Sequence, residues 1–226
     1  MLLTFWNSFL ISFSVLLPLI NPLGSALVFL GLVGAAPPPV YRSLARRIAI
    51  NNVIFLVVIE LLGAAILRFF GLSLPIVQLA GGIVIAAMGW TVLNQSDSRV
   101  NSQKKEDESG DRSGIDQQHL EERIFYPFTF PITSGPGTLV GVLTLTAHIS
   151  NKTLASNILG HAGVFLAIVL LSLLVYFCCY APRITRAIPP STAHGILRVI
   201  AFILLCIGVQ IAWNGLSALL ATVLKH

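Results

Sequence analysis

The sequence predicts an all-α membrane protein with six transmembrane helices, arranged as a 3+3 inverted repeat whose first and fourth helices are broken. The composition is the first reason: 55% of the 226 residues are hydrophobic, 10% are charged, and the mean hydropathy is +0.85. Soluble domains contain about 25% charged residues, so that class is excluded. The other two reasons are six long apolar runs and matching polar interruptions in two of them.

The six runs each have about 18 or more apolar residues with few charges, as transmembrane helices require. Their predicted limits are Thr4–Leu32, Ile48–Leu67, Leu74–Leu93, Phe125–Ala147, Ile158–Tyr180 and Ile196–Val223. The first run is interpreted as a retained span, because no basic segment precedes it and it is longer than the apolar part of a secretory signal.

Basic residues predict the orientation, because cytoplasmic loops of membrane proteins collect Lys and Arg. With both termini outside, the inner loops hold eleven of the fourteen basic residues, namely Arg42, Arg46, Arg47, Arg99, Lys104, Lys105, Arg112, Arg123, Arg183, Arg186 and Arg198. The outer side keeps Arg68, Lys152 and Lys225. The net charge of +5 is attributed to this bias. No basic, aromatic-rich patch indicates nucleic-acid binding.

The first run is interrupted by Asn21-Pro22-Leu23-Gly24-Ser25. Proline removes a backbone donor and frees the carbonyl four residues earlier, so this run is predicted to be a broken helix. Irregular backbone at membrane depth persists only where protein or a wet cavity covers it. The alternative is a plain proline kink with small residues for helix packing.

The second run contains Glu60, the only acidic residue within a predicted span. An ionisable group inside a membrane is costly and indicates function, so Glu60 is a candidate proton-coupling carboxylate. Its place near the outer end of the run leaves interfacial water or Arg68 as alternative partners. The third run contains Gly81 and Gly82, which most simply permit close helix approach.

A polar stretch, residues 95–123, separates a first three-helix half, 1–94, from a second, 124–226. Its mixed charge and lack of apolar periodicity predict a flexible cytoplasmic loop without a catalytic role.

The fourth run contains a second and stronger interruption, Pro131-Ile132-Thr133-Ser134-Gly135-Pro136-Gly137-Thr138. Pro22 and Pro136 lie 114 positions apart. Because each half has an odd number of spans, the second half must enter the membrane from the opposite side. Matching interrupted segments in inverted halves indicate a binding site near the midplane.

The same residues carry a family resemblance. The relevant stretches are Leu17 to Gly24, Phe70 to Ser73, Ala80 to Gly82, Thr133 to Gly137 and Gly208 to Gln210. As a set they resemble the hallmarks of the MarC family of six-span bacterial inner-membrane proteins, over nearly the whole chain except the loop after Asn94. The chain has Gln78 where an arginine is usual in that family, and Ala201 where a glycine is usual.

The resemblance implies a relation to lysine-exporter-type transporters, and some family members are described as carriers of small neutral amino acids. The namesake of the family was once linked to multiple antibiotic resistance. The resemblance also implies the bacterial inner membrane, where the charge bias would make both termini periplasmic.

A helix interrupted at the midplane offers amide donors at one new end and carbonyl acceptors at the other, with about half a charge of each sign. Such a site suits a small zwitterion, and the prolines are expected to free the carbonyls of Pro18 and Ile132. The predicted substrate-binding residues are Asn21, Pro22, Gly24, Ser25, Thr133, Ser134, Gly135, Pro136, Gly137, Thr138 and Gln210.

The sequence therefore predicts a secondary transporter of small neutral amino acids, such as glycine or alanine, that works by alternating access. Its expected partners are the substrate, the lipid bilayer, a coupling proton or ion and further copies of itself. No cofactor, metal or enzymatic activity is expected. The alternatives are a non-transporting structural or assembly protein and an exporter of another small metabolite or drug.

Two further classes have less support in the sequence. A divalent-cation carrier would need several intramembrane carboxylates, and Glu60 stands alone. An enzyme would need a nucleophile with a base, or clustered metal ligands. His148, His161 and His194 are instead interpreted as interfacial residues at span ends, and Cys178, Cys179 and Cys206 as small buried hydrophobes.

Overall fold

The computed structural model describes residues 2–33, 37–94, 124–149, 154–180 and 190–224. This part of the chain is helical and contains no strand. Its elements are α1 Leu2–Ile20, α2 Pro22–Val33, α3 Pro38–Phe69, α4 Leu74–Asn94, a bent segment Ile124–Thr133, α5 Pro136–Ile149, α6 Leu154–Tyr180 and α7 Pro190–Val223. The charged loop predicted at residues 95–123 and the inner-loop residues Arg183 and Arg186 fall outside the described residues.

Five helical stretches are long and apolar enough to cross a membrane: Leu2–Leu30, Pro38–Phe69, Leu74–Asn94, Leu154–Tyr180 and Gly195–Thr222. The bent segment and α5 make a sixth when counted as one span, with 65° between their two parts. The prediction of an all-α membrane protein is confirmed, with five or six spans at the predicted places.

The two predicted breaks differ in size. Between α1 and α2 only Asn21 leaves the helix, with φ at 44°. Helical hydrogen bonding continues around it, since the Asn21 amide donates to the Leu17 carbonyl and the Ser25 amide to the Asn21 carbonyl, both at 2.9 Å. The fourth span is interrupted far more strongly, because two residues of the bent segment, Tyr126 and Phe130, have non-helical backbone angles.

The main core lies where α1, α2 and α3 contact α6. Phe29 of α2 meets Tyr41 of α3 and Phe128 of the bent segment edge to face, with ring centroids 6.0 and 5.4 Å apart. Large apolar side chains also cover the outer surface, including Ile54 at 57% and Leu61 at 66% exposure. An apolar exterior over an apolar core is what a lipid environment requires.

The most extensive helix contact joins α4 and α7, and the glycines along it, Gly82, Gly89, Gly208 and Gly215, face backbone of the opposite helix. A Cβ added at Gly82 would lie 2.6 Å from the Gly208 carbonyl oxygen, and one added at Gly208 would lie 2.8 Å from the Gly82 carbonyl oxygen. Backbone atoms cannot move aside as a flexible side chain can, so both positions need glycine at this crossing. The prediction that Gly82 permits close helix approach is confirmed.

Candidate functional site

The bent segment is built from two similar tetrapeptides, Tyr126-Pro127-Phe128-Thr129 and Phe130-Pro131-Ile132-Thr133. Tyr126 and Phe130 both have extended backbone angles, with φ and ψ of −119° and 122° in one and −122° and 127° in the other. A residue before proline is biased toward this region by contact with the proline ring. Both aromatic–proline peptide bonds are cis. The second break therefore starts much earlier than the predicted Pro131.

Threonine hydroxyls donate additional hydrogen bonds within the bent segment. Thr129 Oγ1 donates to the Ile124 carbonyl and Thr133 Oγ1 to the Phe128 carbonyl, each at 2.8 Å. Each threonine lies two residues after a proline, which has no amide proton to donate. The proton of Thr133, a predicted substrate ligand, is thus used within the segment, while its oxygen can still accept.

The two breaks contact each other through reciprocal hydrogen bonds. The Ser25 hydroxyl lies 2.9 Å from the Ile20 carbonyl oxygen and 3.3 Å from that of Ile132, across the contact. Thr138 Oγ1 lies 3.4 Å from the Leu19 carbonyl oxygen in the opposite direction. The structure therefore brings the two predicted interruptions together. The Ile132 carbonyl, which was expected to be free, has the Ser25 hydroxyl as a partner.

A buried polar chain anchors the second break to the rest of the protein. Asn52 of α3 accepts a hydrogen bond from the Ser134 hydroxyl through Oδ1. Its Nδ2 donates to Ser172 Oγ of α6 at 2.9 Å. Asn52 and Ser134 are 0% exposed and Ser172 is 1% exposed. This chain of three side chains, the Asn52 network, links α3, α6 and the start of α5.

Asn52 and Ser172 were not among the predicted site residues. A signal for Asn52 was present, because it lies eight residues before Glu60 and so on the same face of a helix. The side chains of Asn52 and Glu60 are both buried in the structure.

Asn21 caps the helix that follows it. Its Oδ1 accepts a hydrogen bond from the Gly24 amide at 3.1 Å, as an N-cap residue does for the third residue of a helix. Pro22 occupies the first helical position, where its missing N–H has no helical partner to lose. A Cβ at Gly24 would collide with Asn21 Nδ2, so a larger residue there would displace the capping side chain.

The other predicted residues divide into two groups. Pro22, Gly135 and Gly137 are buried at the breaks, while Pro136 is exposed. Gln210 lies elsewhere: it is exposed on α7, and its Nε2 donates to Asn214 Oδ1 at 3.0 Å. None of the hydrogen bonds described at the breaks includes Gln210.

Glu60 has His161 of α6 as its partner, with Oε1 and Nδ1 3.2 Å apart. The Glu60 side chain is 2% exposed and that of His161 is 36% exposed. Arg68, the partner considered from the sequence, instead donates through Nε to its own helix at the Ala64 carbonyl. His161, interpreted from the sequence as an interfacial residue, therefore also contacts Glu60. One turn before it, Asn157 Oδ1 is buried without a hydrogen-bond partner among the described residues.

Two large grooves lie outside the breaks. One of about 510 Å³ is lined by apolar residues of α4 and α7, including Trp90 and Trp213. The other, of about 420 Å³, lies between α3 and α6 and is lined by Arg46, Ser172 and Tyr176 among others. At the breaks, Ser25, Ser134 and Thr138 are at most 4% exposed, so these hydroxyls are closed off from solvent. Within the ranges that the structure describes, no three His, Cys, Asp or Glu side chains form a metal site.

Comparison with known proteins gives one consistent result. A family model described as "MarC family integral membrane protein" matches residues 6–220. The inner membrane protein MarC of Escherichia coli strain ATCC 8739 is 26% identical over 209 residues, which cover 92% of this chain and 93% of that protein. The MarC protein of strain K12 is 25% identical over the same shares. No solved structure matches this chain.

Proposed function

This chain belongs to the MarC family of integral membrane proteins, and from that premise we propose that it is a secondary transporter of small neutral amino acids. It is a multi-pass protein of the inner membrane. The observation that carries the proposal is the meeting of two interrupted spans, one from each half of the chain, through hydroxyl–carbonyl contacts in both directions.

The reciprocal contacts support an inverted repeat. Ser25 and Thr138 are 113 positions apart, and Leu19 and Ile132 are the same distance apart in the sequence. Exchanging the two halves therefore converts the Ser25–Ile132 hydrogen bond into the Thr138–Leu19 hydrogen bond. The same exchange converts the contact between the first and fifth spans into a contact between the fourth and second spans. Both contacts are present in the structure. It leaves the pairing of α4 with α7 unchanged. A pseudo-twofold axis in the membrane plane would produce this pattern.

The site chemistry suits a zwitterion without net charge. The carbonyls of Leu19 and Ile132 can accept hydrogen bonds from an ammonium group, and the helix N-termini at Pro22 and Pro136 favour a carboxylate. The bonds from Ser25 and Thr138 across the contact are long, at 3.3 and 3.4 Å, so a substrate would displace weak interactions. Glycine or alanine would fit between breaks that pack this closely.

Burial of the site hydroxyls supports an occluded conformation in alternating access. Opening would separate the breaks, and the Asn52 network would hold the second break against α3 and α6 while the first one moves. With the termini periplasmic, as the basic loops predict, the Glu60–His161 pair would lie toward the periplasmic side.

Glu60 and His161 are our candidates for proton coupling. Glu60 is the only acidic side chain in the described ranges, and a carboxylate paired with an imidazole inside a membrane protein is typical of a proton relay. Protonation of Glu60 would remove the negative charge that faces His161 Nδ1 between α3 and α6. Because α3 also carries Asn52, about 12 Å away at 1.5 Å per residue, this change could reach the second break along one helix. Asn157 Oδ1 offers a further acceptor for a water on this route.

Uptake into proteoliposomes tests the proposal. Labelled glycine or alanine should accumulate above the level of empty vesicles, more strongly with a proton gradient, and Ser134→Ala and Asn21→Ala should lower the rate. Ser14→Leu, an exposed position on α1, is the control for nonspecific effects. Uptake equal to that of empty vesicles, with and without a gradient in either direction, would contradict the proposed substrate class.

A structural or assembly protein that transports nothing is the second candidate. The near-complete burial of Ser25, Ser134 and Thr138 favours it, because a permanently closed contact would also exclude solvent. A thermal-shift screen of small amino acids and other metabolites separates the two, since a carrier is stabilised by its ligand. A carrier of another small metabolite or drug would be recognised in the same screen.

A further inference from the structure

Polar side chains form a continuous stripe on the exposed face of α7. Cys206, Gln210, Asn214 and Ser217 follow one another at spacings of four, four and three residues, which places them on one side of a helix. Gln210, Ser217 and Cys206 are exposed and Asn214 is half-buried, so the interpretation of Cys206 as a buried hydrophobe was wrong. Large apolar side chains flank the stripe, including Trp213 at 60% exposure. We call these four residues the α7 stripe.

The stripe lies deep in the membrane. Gln210 is fifteen residues from one end of the span Gly195–Thr222 and twelve from the other. At 1.5 Å per residue, Gln210 is about 22 Å from one end of the span and about 18 Å from the other. Half the hydrocarbon thickness of a bilayer is about 15 Å. The amide is therefore within the hydrocarbon region whichever way the chain is inserted.

The amides of the stripe satisfy each other only in part. Gln210 Nε2 donates to Asn214 Oδ1 at 3.0 Å, and Ser217 Oγ donates to the Asn214 carbonyl. Within the described part of the chain, Gln210 Oε1 and Asn214 Nδ2 have no further hydrogen bond. Lipid tails offer amides no partner, so an exposed acceptor and donor at this depth are costly.

We propose that the α7 stripe is an interface between two copies of this chain. All copies enter the membrane in the same orientation, so a twofold axis along the membrane normal brings two α7 helices together in parallel. Such an interface is self-complementary, with the same patch contributed by both copies. The unused acceptor of Gln210 and the unused donor of Asn214 match each other across this axis. Amides of this kind join helices inside membranes.

A second copy explains the observations better than lipid does. The stripe presents both an acceptor and a donor, which another stripe can satisfy and an acyl chain cannot. The adjacent groove of about 510 Å³, with Trp90 and Trp213 in its lining, lets apolar side chains of the second copy pack beside the amides. The interface does not depend on transport, so it stands or falls separately from the proposed function.

Native Cys206 allows a direct test. In the full-length protein carrying Cys178→Ala and Cys179→Ala, Cys206 is the only cysteine and lies on the stripe. Oxidation in membrane vesicles with copper phenanthroline, which enters the bilayer, should give a disulfide-linked dimer on a non-reducing gel. A cysteine-free protein carrying Ile54→Cys, an exposed position on α3, measures random collision and should give several-fold less dimer.

The double variant Gln210→Leu/Asn214→Leu tests the amides. We expect it to lose most of the Cys206 cross-link and to count as a monomer by single-molecule photobleaching in liposomes. Ser14→Leu should remain dimeric, and circular dichroism and thermal unfolding establish that the double variant is folded.

Each of the following results would overturn the inference: wild-type protein that photobleaches as a monomer, Cys206 cross-linking no stronger than Ile54→Cys, or a double variant that remains dimeric. Loss of amino-acid uptake in a double variant whose wild-type parent is monomeric would also overturn it. That result would place Gln210 on the transport path instead.

Discussion

Replacement of Asn52 by leucine tests how firmly the second break is held. The change keeps the branched shape of the side chain and its number of heavy atoms but removes the acceptor for Ser134 and the donor to Ser172. Both serines are at most 1% exposed, so water cannot replace the lost partner. Asn51→Leu, at the neighbouring position with no hydrogen bond described for its side chain, is the matched control.

The expected loss of stability follows from two buried hydrogen bonds. In a soluble protein, each group left unsatisfied costs about 1–3 kcal/mol. Inside membrane proteins measured values average about 0.6 and reach about 1.7 kcal/mol per bond, because the unfolded helices also find partners. We use the membrane value, since all three side chains lie on apolar spans. Asn52→Leu should therefore lower the free energy of unfolding by about 1–3 kcal/mol.

Unfolding in mixed detergent micelles, followed by circular dichroism, measures this loss. A double-mutant cycle with Ser172→Ala isolates the pair: the double variant should be destabilised by less than the sum of the single variants. Equal effects of Asn52→Leu and Asn51→Leu, or strict additivity in the cycle, would refute the assigned network.

Three other predictions address separate parts of the structure. Gly208→Val should destabilise the protein by about 1–3 kcal/mol in the same unfolding assay, as overpacking does, because its side chain would meet the backbone of α4. Gly195→Ala, with nothing within 4 Å of the added Cβ, should not destabilise it. Asn21→Ala should lower the free energy of unfolding by about 1 kcal/mol, because α2 loses its N-terminal cap. An unchanged free energy of unfolding would contradict the capping role. Glu60→Gln mimics the protonated acid, so substrate uptake should persist but lose its dependence on the proton gradient in proteoliposomes; an unchanged dependence would exclude Glu60 from coupling.

The spans and the positions of the breaks could be predicted from the sequence because their signals are local. An apolar run of membrane length is recognised from composition alone, and the predicted interruptions are found at Pro22 and Pro136, each of which begins a helix. The full extent of the second break was missed. The repeated aromatic–proline pairs at Tyr126 and Phe130 were its local signal, because a residue before proline disfavours helix.

Contacts between distant residues could not be predicted in the same way. Asn52 meets Ser134 and Ser172, 82 and 120 positions away, and His161 meets Glu60 101 positions away. These pairs depend on the rotation of each helix about its axis, which one sequence with uniformly apolar spans does not specify. The exposure of Gln210 is a similar case, since it depends on which face of α7 contacts α4.

The central claim is that the two breaks must separate for a small amino acid to pass. A reversible lock tests it most directly: Leu19→Cys and Gly141→Cys, in a protein without native cysteines, place thiols on facing side chains of the first and fourth spans, since a Cβ added at Gly141 would lie 2.7 Å from Leu19 Cδ1. We expect labelled glycine uptake by the reduced protein in proteoliposomes, its loss when the disulfide forms, and its return on reduction. Undiminished uptake by the fully oxidised protein would contradict the account.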